Sequence, residues 1–312
     1  MGFVQRLQAR RRYRRMARAL AELDRVDRLH GMGAPVVAPV RRRSRIDLTA
    51  GVAIAVVVAF LALASLRFIL PMAGSAAPAA DTPTAAELAA AGYPPWPSDA
   101  SFRRLLPVVE AADAGEYVFV ATEPDGSPVG FDPCRPVHYV VNPDGMPAGG
   151  LPFLHEAIAE ISAATGLVFV DDGSTTERIS EDRSPVLPEL YGMRWAPVLI
   201  TWAEDRELAF AGAELAGVAS PYSVTPTGPG SERYVTGTVA LNRAWFAEAL
   251  TDPAAAAIAR GVALHEMGHL VGLNHVGDPT QAMHATSDTT GLGQGDRAGL
   301  AAVGAGECHS DT

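Results

Sequence analysis

The rhythm of hydrophobic positions changes several times along the chain. Between Met16 and Leu29 the apolar residues Met16, Leu20, Leu23, Val26 and Leu29 recur at helical intervals among arginines. Leu48 to Leu66 then runs for nineteen residues without a charge, which is about what a helix needs to cross a hydrocarbon core of roughly 30 Å. Periodicity is lost over 71–97, where alanine and proline predominate, so a spacer is expected there. Residues 98–131 form an amino-terminal extension in which Phe102 to Thr122 reads as a helix and a strand, belonging either to the core or to a small pro-segment. Beyond it the pattern predicts strands at 136–142, 167–171, 198–203, 216–220 and 235–241. Helices are expected at 151–164, with Phe153, Ala157, Ile158 and Ile161 inward, and at 254–271. This alternation predicts an α+β (α/β) domain over 132–312 with a mixed twisted sheet, large enough for one hydrophobic core.

Charge divides the chain in two. Residues 1–47 hold thirteen arginines and four acids, whereas 48–312 hold twelve arginines and thirty-one acids. The positive-inside rule therefore leaves a basic cytoplasmic segment, 1–47, behind a transmembrane helix within 48–70 and sends the rest out of the cytoplasm. Arg67 can extend its charge toward the headgroups. A cleaved signal peptide is the rival reading, with Ser75-Ala76-Ala77 as small residues for a peptidase, but the long charged leader suits an anchor better. The basic segment reads as a topology-setting tail or as an amphipathic helix on anionic lipid. The acidic remainder argues against a nucleic-acid partner. There is no lysine, and alanine abounds, a skew expected from a GC-rich bacterial genome and hence a bacterial cell membrane.

The chemistry concentrates in His265-Glu266-Met267-Gly268-His269-Leu270-Val271-Gly272-Leu273-Asn274-His275. Residues four apart on a helix share a face, so His265 and His269 can bind one ion. Glu266 sits at the rim of that face, within reach of a water beside the metal. A glycine takes positive φ at low cost, so Gly272 can end the helix and return His275 to the same site. Three neutral imidazoles would leave a zinc ion an open position, the arrangement of a catalytic site. Thr251-Asp252-Pro253 supplies a cap and a proline at the first helical position, and Leu264, Met267 and Val271 provide a packing face.

This stretch resembles the extended zinc signature of the metzincin metalloendopeptidases. Met283, in Asp278-Pro279-Thr280-Gln281-Ala282-Met283-His284, resembles that clan's methionine turn, and its surroundings are most similar to the matrixin branch. The resemblance implies a zinc-dependent endopeptidase with Glu266 as general base, a protein or peptide substrate, and Met283 as a packing floor beneath the ligands. It implies that Leu215 to Ser220, with Gly217, Val218 and Ala219 at its centre, is a sheet edge that pairs with extended substrate, and that 283–291 shapes the pocket beyond the cleaved bond. It also implies that Gly293 to Leu300 opens a closing helix.

Some features depart from the family pattern. Ala285 stands where matrixins usually have proline and related families a tyrosine ligand. No histidine lies between His155 and His265, so the second, structural zinc of animal matrixins is not expected. Asp171, Asp172, Glu181 and Asp182 could take Ca2+, but no clear motif supports it and a solvated loop is the better reading. Asp278 is a candidate to support a ligand histidine, and His284 to line the pocket wall. Cys134 and Cys308 lie outside the membrane under this topology and predict a disulfide closing a loop of about 175 residues. The competing role for Cys134 is a thiolate that blocks the zinc in a latent form. Two other functions fit a metal-bearing domain of this kind: a catalytically silent binding module and a cell-wall amidase.

Overall fold

The computed structural model describes Ala89 and residues 91–309, apart from 112–113, 181, 205–206, 208–214 and 227–230. The expected basic segment, transmembrane helix and most of the spacer lie outside the described residues. Among the described residues no helix is long and apolar enough to cross a membrane.

The predicted strands form a five-stranded mixed sheet. In chain order they are β2 (Val137–Asn142), β3 (Phe169–Ser174), β4 (Val198–Ala203), β5 (Gly217–Val224) and β6 (Arg233–Asn242), after a short β1 (Val118–Phe119) outside this sheet. The order across the sheet is β3-β2-β4-β6-β5, with the first four parallel and β5 antiparallel to β6. All six residues of central β4 are buried, as its mainly apolar run, broken only by Thr201, predicts for a parallel strand covered on both faces. β5 is at the edge among the described residues and alternates between half-buried and exposed positions.

Helices α1 (Gly150–Thr165), α2 (Pro188–Tyr191), α3 (Arg243–Ala249), α4 (Pro253–Val271) and α5 (Gln294–Gly304) complete the architecture, with a two-residue strand β7 (Leu273–Asn274) after α4. α1 buries Leu154, Ala157, Ile158 and Ile161, as its periodicity predicts. α4 is central and packs against β5, β6, β7, α1, α3 and α5. Its start is fixed locally: Asp252 accepts hydrogen bonds from the amides of Ala254 and Ala255, both at 3.1 Å, ahead of Pro253. Asn242 caps α3 in the same way, through the amides of Ala244 and Trp245.

The extension departs from expectation. Among its described residues there is no helix between Phe102 and Thr122, only β1. Pro107 interrupts that apolar run, and a proline inside a helix removes a hydrogen bond and clashes with the preceding turn. The backbone instead binds the rest of the domain: the amides of Ser101 and Leu105 donate to the carbonyls of Cys134 and Pro133, at 2.8 and 3.1 Å. β1 pairs antiparallel with β7. The extension belongs to the same compact unit as the sheet and helices.

Cys134 and Cys308 form a disulfide with Cα atoms 5.3 Å apart, so Cys134 is not a blocking thiolate. Asp132 secures both ends of the bridge, accepting from the amides of Cys134 and His309 at 2.8 and 3.2 Å.

Candidate metal centre

α4 carries two of the three candidate ligands because it is an uninterrupted helix, and Gly272 supplies the third by ending it. Gly272 has φ 115°, a conformation that costs a side-chain-bearing residue strain, and its amide donates to the carbonyls of Gly268 and His269. The chain reverses through β7, and the Nε2 atoms of His265, His269 and His275 come together. Their separations are 3.0 Å (265–269), 3.1 Å (269–275) and 3.2 Å (265–275).

These atoms fit a shared cation. Zinc–nitrogen distances of about 2.0–2.1 Å in tetrahedral geometry place ligand atoms about 3.3 Å apart, close to the observed triangle. Tautomer chemistry agrees. His265 Nδ1 donates to the Ala282 carbonyl and His269 Nδ1 to the Leu273 carbonyl, each at 2.7 Å. A neutral ring with its proton on Nδ1 carries a lone pair on Nε2. Lone pairs aimed at one another across 3.0 Å are satisfied by a metal ion between them. Burial lowers the pKa of His265, and burial together with the neighbouring His265 and His275 holds that of His269 well below the ordinary imidazole value, which favours the neutral, ligating form.

Glu266 is the acidic group next to the first candidate ligand. It is almost fully buried, and its Oε2 has no hydrogen-bond partner among the described residues. A buried carboxylate oxygen without a partner is costly, so such an oxygen is retained where it has a task. Burial pushes its pKa up to about 8, and a dication alongside would favour the carboxylate. β5 makes room for it: a Cβ on Gly217 would stand 2.8 Å from Cγ of Glu266.

The edge strand therefore begins beside the carboxylate. The Ala216 carbonyl accepts the Asn242 amide, and the register runs without a break to Tyr222. In an antiparallel ladder the backbone groups alternate in direction, so those of Val218 and Ser220 face β6 while those of Gly217 and Ala219 face outward. Of the three expected pairing residues, Gly217 and Ala219 can bond an added strand and Val218 cannot. Pro221 also faces outward and, lacking an N–H, ends the row of donors.

Beneath the ligands, Met283 is buried against α4, and a Cβ on Gly268 would lie 2.5 Å from its sulfur. The turn at Met283 is held by Asp296, which has no role in the sequence reading. One oxygen of its buried carboxylate accepts from the amides of Ala282 (2.6 Å) and Gly293 (2.7 Å), and the other from Met283 (3.1 Å). A relay thus runs from α5 through the Ala282 peptide to His265. The sequence carried half the signal, since an acid three residues after a helix start is a capping pattern.

Other candidates lie elsewhere. The Asp278 carboxylate accepts from Thr280 and Gln281, and the acceptors for His265 and His269 are the two carbonyls named above. The loop after Met283 folds onto α4, where the Thr289 carbonyl occupies the space a Cβ on Gly261 would need. His284 is half-buried, with its amide bonded to Gln281. Asp171 is hydrogen-bonded to His155, and Asp172 to His138 and to Arg194, with which it forms an ion pair; Glu181 lies outside the described residues. No protein-family model matches the chain, and no curated protein matches it.

Proposed function

We propose that the chain is a zinc-dependent endopeptidase of the metzincin type, closest to the matrixins, tethered to the membrane with its catalytic domain outside the cytoplasm. One observation carries this reading: the convergence of three imidazole nitrogens beside a buried carboxylate oxygen that lacks a partner, at the start of an edge strand. His265, His269 and His275 would hold the ion. When bound, zinc supplies Lewis acidity, polarising a carbonyl and acidifying water.

The remaining steps belong to the chain. An extended peptide adds to β5 through the outward groups of Gly217 and Ala219, which brings its backbone alongside Glu266. Glu266 takes a proton from the attacking water and passes it to the leaving amine. Buried Oε2 of Glu266 has no competing hydrogen bond among the described residues. The uncharged run Leu48 to Leu66, which lies outside the described residues, supports the tether, and the cystine supports an oxidising location.

The test is hydrolysis of casein by the purified chain with and without a chelator, alongside Glu266→Ala. Activity is expected to vanish on chelation, to return with Zn2+, and to be absent in the variant. Proteolysis that survives either treatment would rule out the assignment. Cleavage of peptidoglycan without cleavage of protein would transfer the same chemistry to a cell-wall amidase.

A further inference from the structure

The third candidate ligand stands on a loop, and that loop is fastened by the amino-terminal extension. β1 pairs with β7 in the register Val118↔Asn274 and Phe119↔Leu273, immediately before His275. The Val120 amide donates to the carbonyl of Gly272, the residue that reverses the chain, at 2.8 Å. Just beyond His275, Oε2 of Glu116 accepts from the amides of Gly277 (3.0 Å) and Asp278 (2.9 Å). The peptides on both sides of His275 are therefore bonded to one short stretch of chain more than 150 residues upstream.

That stretch is itself seated. Gly115 and Glu116 lie backbone to backbone against Gly295 in the first turn of α5, where a Cβ on Gly115 would stand 2.5 Å from the Gly295 amide. One turn on, a Cβ on Gly299 would stand 2.9 Å from Cβ of Tyr117. Glycines four apart on one helix face thus allow the strap to approach, and the same helix carries Asp296, which holds the turn beneath His265.

We infer that residues 115–120 are a positioning strap for His275, with Glu116 as its clasp, and that metal occupancy and strap docking stabilise one another. The inference rests on the metal-site reading above. Reciprocity follows from linkage: if docking holds His275 in ligating position, metal bound to His275 must in turn favour docking by the same factor. Both amides converge on one oxygen, which the carbonyl oxygen of a glutamine can also present, so glutamine keeps the hydrogen bonds while losing their charge assistance. The extension is then a working part of the metal site and not a pro-segment to be discarded.

The experiment is a Zn2+ titration of the full chain in competition with a chromophoric chelator, comparing wild type, Glu116→Ala and Glu116→Gln, with Co2+ spectra of each. Glu116→Ala is expected to weaken Zn2+ about 10- to 100-fold, as loss of an outer support does at metal sites, and to perturb the Co2+ bands. Glu116→Gln is expected to bind Zn2+ more tightly than the alanine variant, because it keeps both hydrogen bonds. Equal affinity and equal spectra for the alanine variant would overturn the inference. A second measurement needs no variant: in wild type, Zn2+ should slow hydrogen exchange at the amides of Val120, Gly277 and Asp278, and unchanged exchange there would overturn it too. A wild-type chain that binds neither Zn2+ nor Co2+ would instead overturn the metal-site reading itself.

Discussion

The two halves of the candidate metal centre are built by different means. The helical half (His265, Glu266 and His269) is fixed by a single element whose cap, periodicity and stop signal all lie within about twenty residues. The other half (His275, Met283 and their supports) is a set of short segments held by hydrogen bonds between separate elements: the amides of Gly277 and Asp278 donate to Glu116, far upstream, those of Ala282 and Met283 to Asp296 on α5, and that of Val276 to the Met283 carbonyl. A helix brings its residues together by its own geometry. A loop has to be told where to go by the rest of the fold. The buried carboxylate and two candidate ligands therefore depend on local structure, whereas the third candidate ligand depends on the tertiary fold.

Substitutions can test this division. The largest effect is expected for Glu266→Gln, which should lower peptide hydrolysis about 10²- to 10⁴-fold while zinc content measured by elemental analysis stays at wild-type level. Lost zinc in this variant would mean that the carboxylate supports the ligands and is not a separate catalytic group. Next comes Asp296→Ala, which strips three backbone amides of their acceptor and should cost about 3 kcal/mol or more in urea unfolding. Zinc affinity should fall with it, because the Ala282 carbonyl that orients His265 loses its anchor. If affinity held while stability dropped, the relay from α5 to the ligand would be broken as an explanation.

Gly268→Val should overpack the helix against Met283 and cost about 1–3 kcal/mol, read as a lower midpoint in the same unfolding experiment, with Co2+ bands shifted. Unshifted bands would show that the floor does not shape the ligands. The smallest effect is expected for Gly217→Ala. The added methyl must displace Glu266 at its Cγ, and a fall of about tenfold in kcat with little change in metal affinity is expected, since small misplacements of a catalytic group are expensive.

The same division explains what was legible in the sequence. The strands of the sheet, α1 and α4 follow from apolar runs and periodicity, and Asp252, Gly272 and the His265–His269 spacing announce the ends and active face of α4. The cysteine pair was readable from its number and location alone. The stretch from Phe102 to Thr122 misled because its apolar spacing looks helical when Pro107 is overlooked. α3 escaped although Asn242 offers a capping side chain directly after a strand. Glu116 escaped for a deeper reason: an acid that accepts backbone amides far along the chain looks, in sequence, like any surface acid. Asp296 shows in sequence only as a capping acid, and its bonds to the Ala282 and Met283 amides come from the fold. Asp278 shows the converse, an acid close to the ligands in sequence whose hydrogen bonds go to its own turn.

The cystine between Cys134 and Cys308 encloses the sheet, α4 and the turn at Met283. A molecule cut once anywhere inside that span would keep both fragments. It would migrate as a single species without reductant and separate into two bands when a thiol is added.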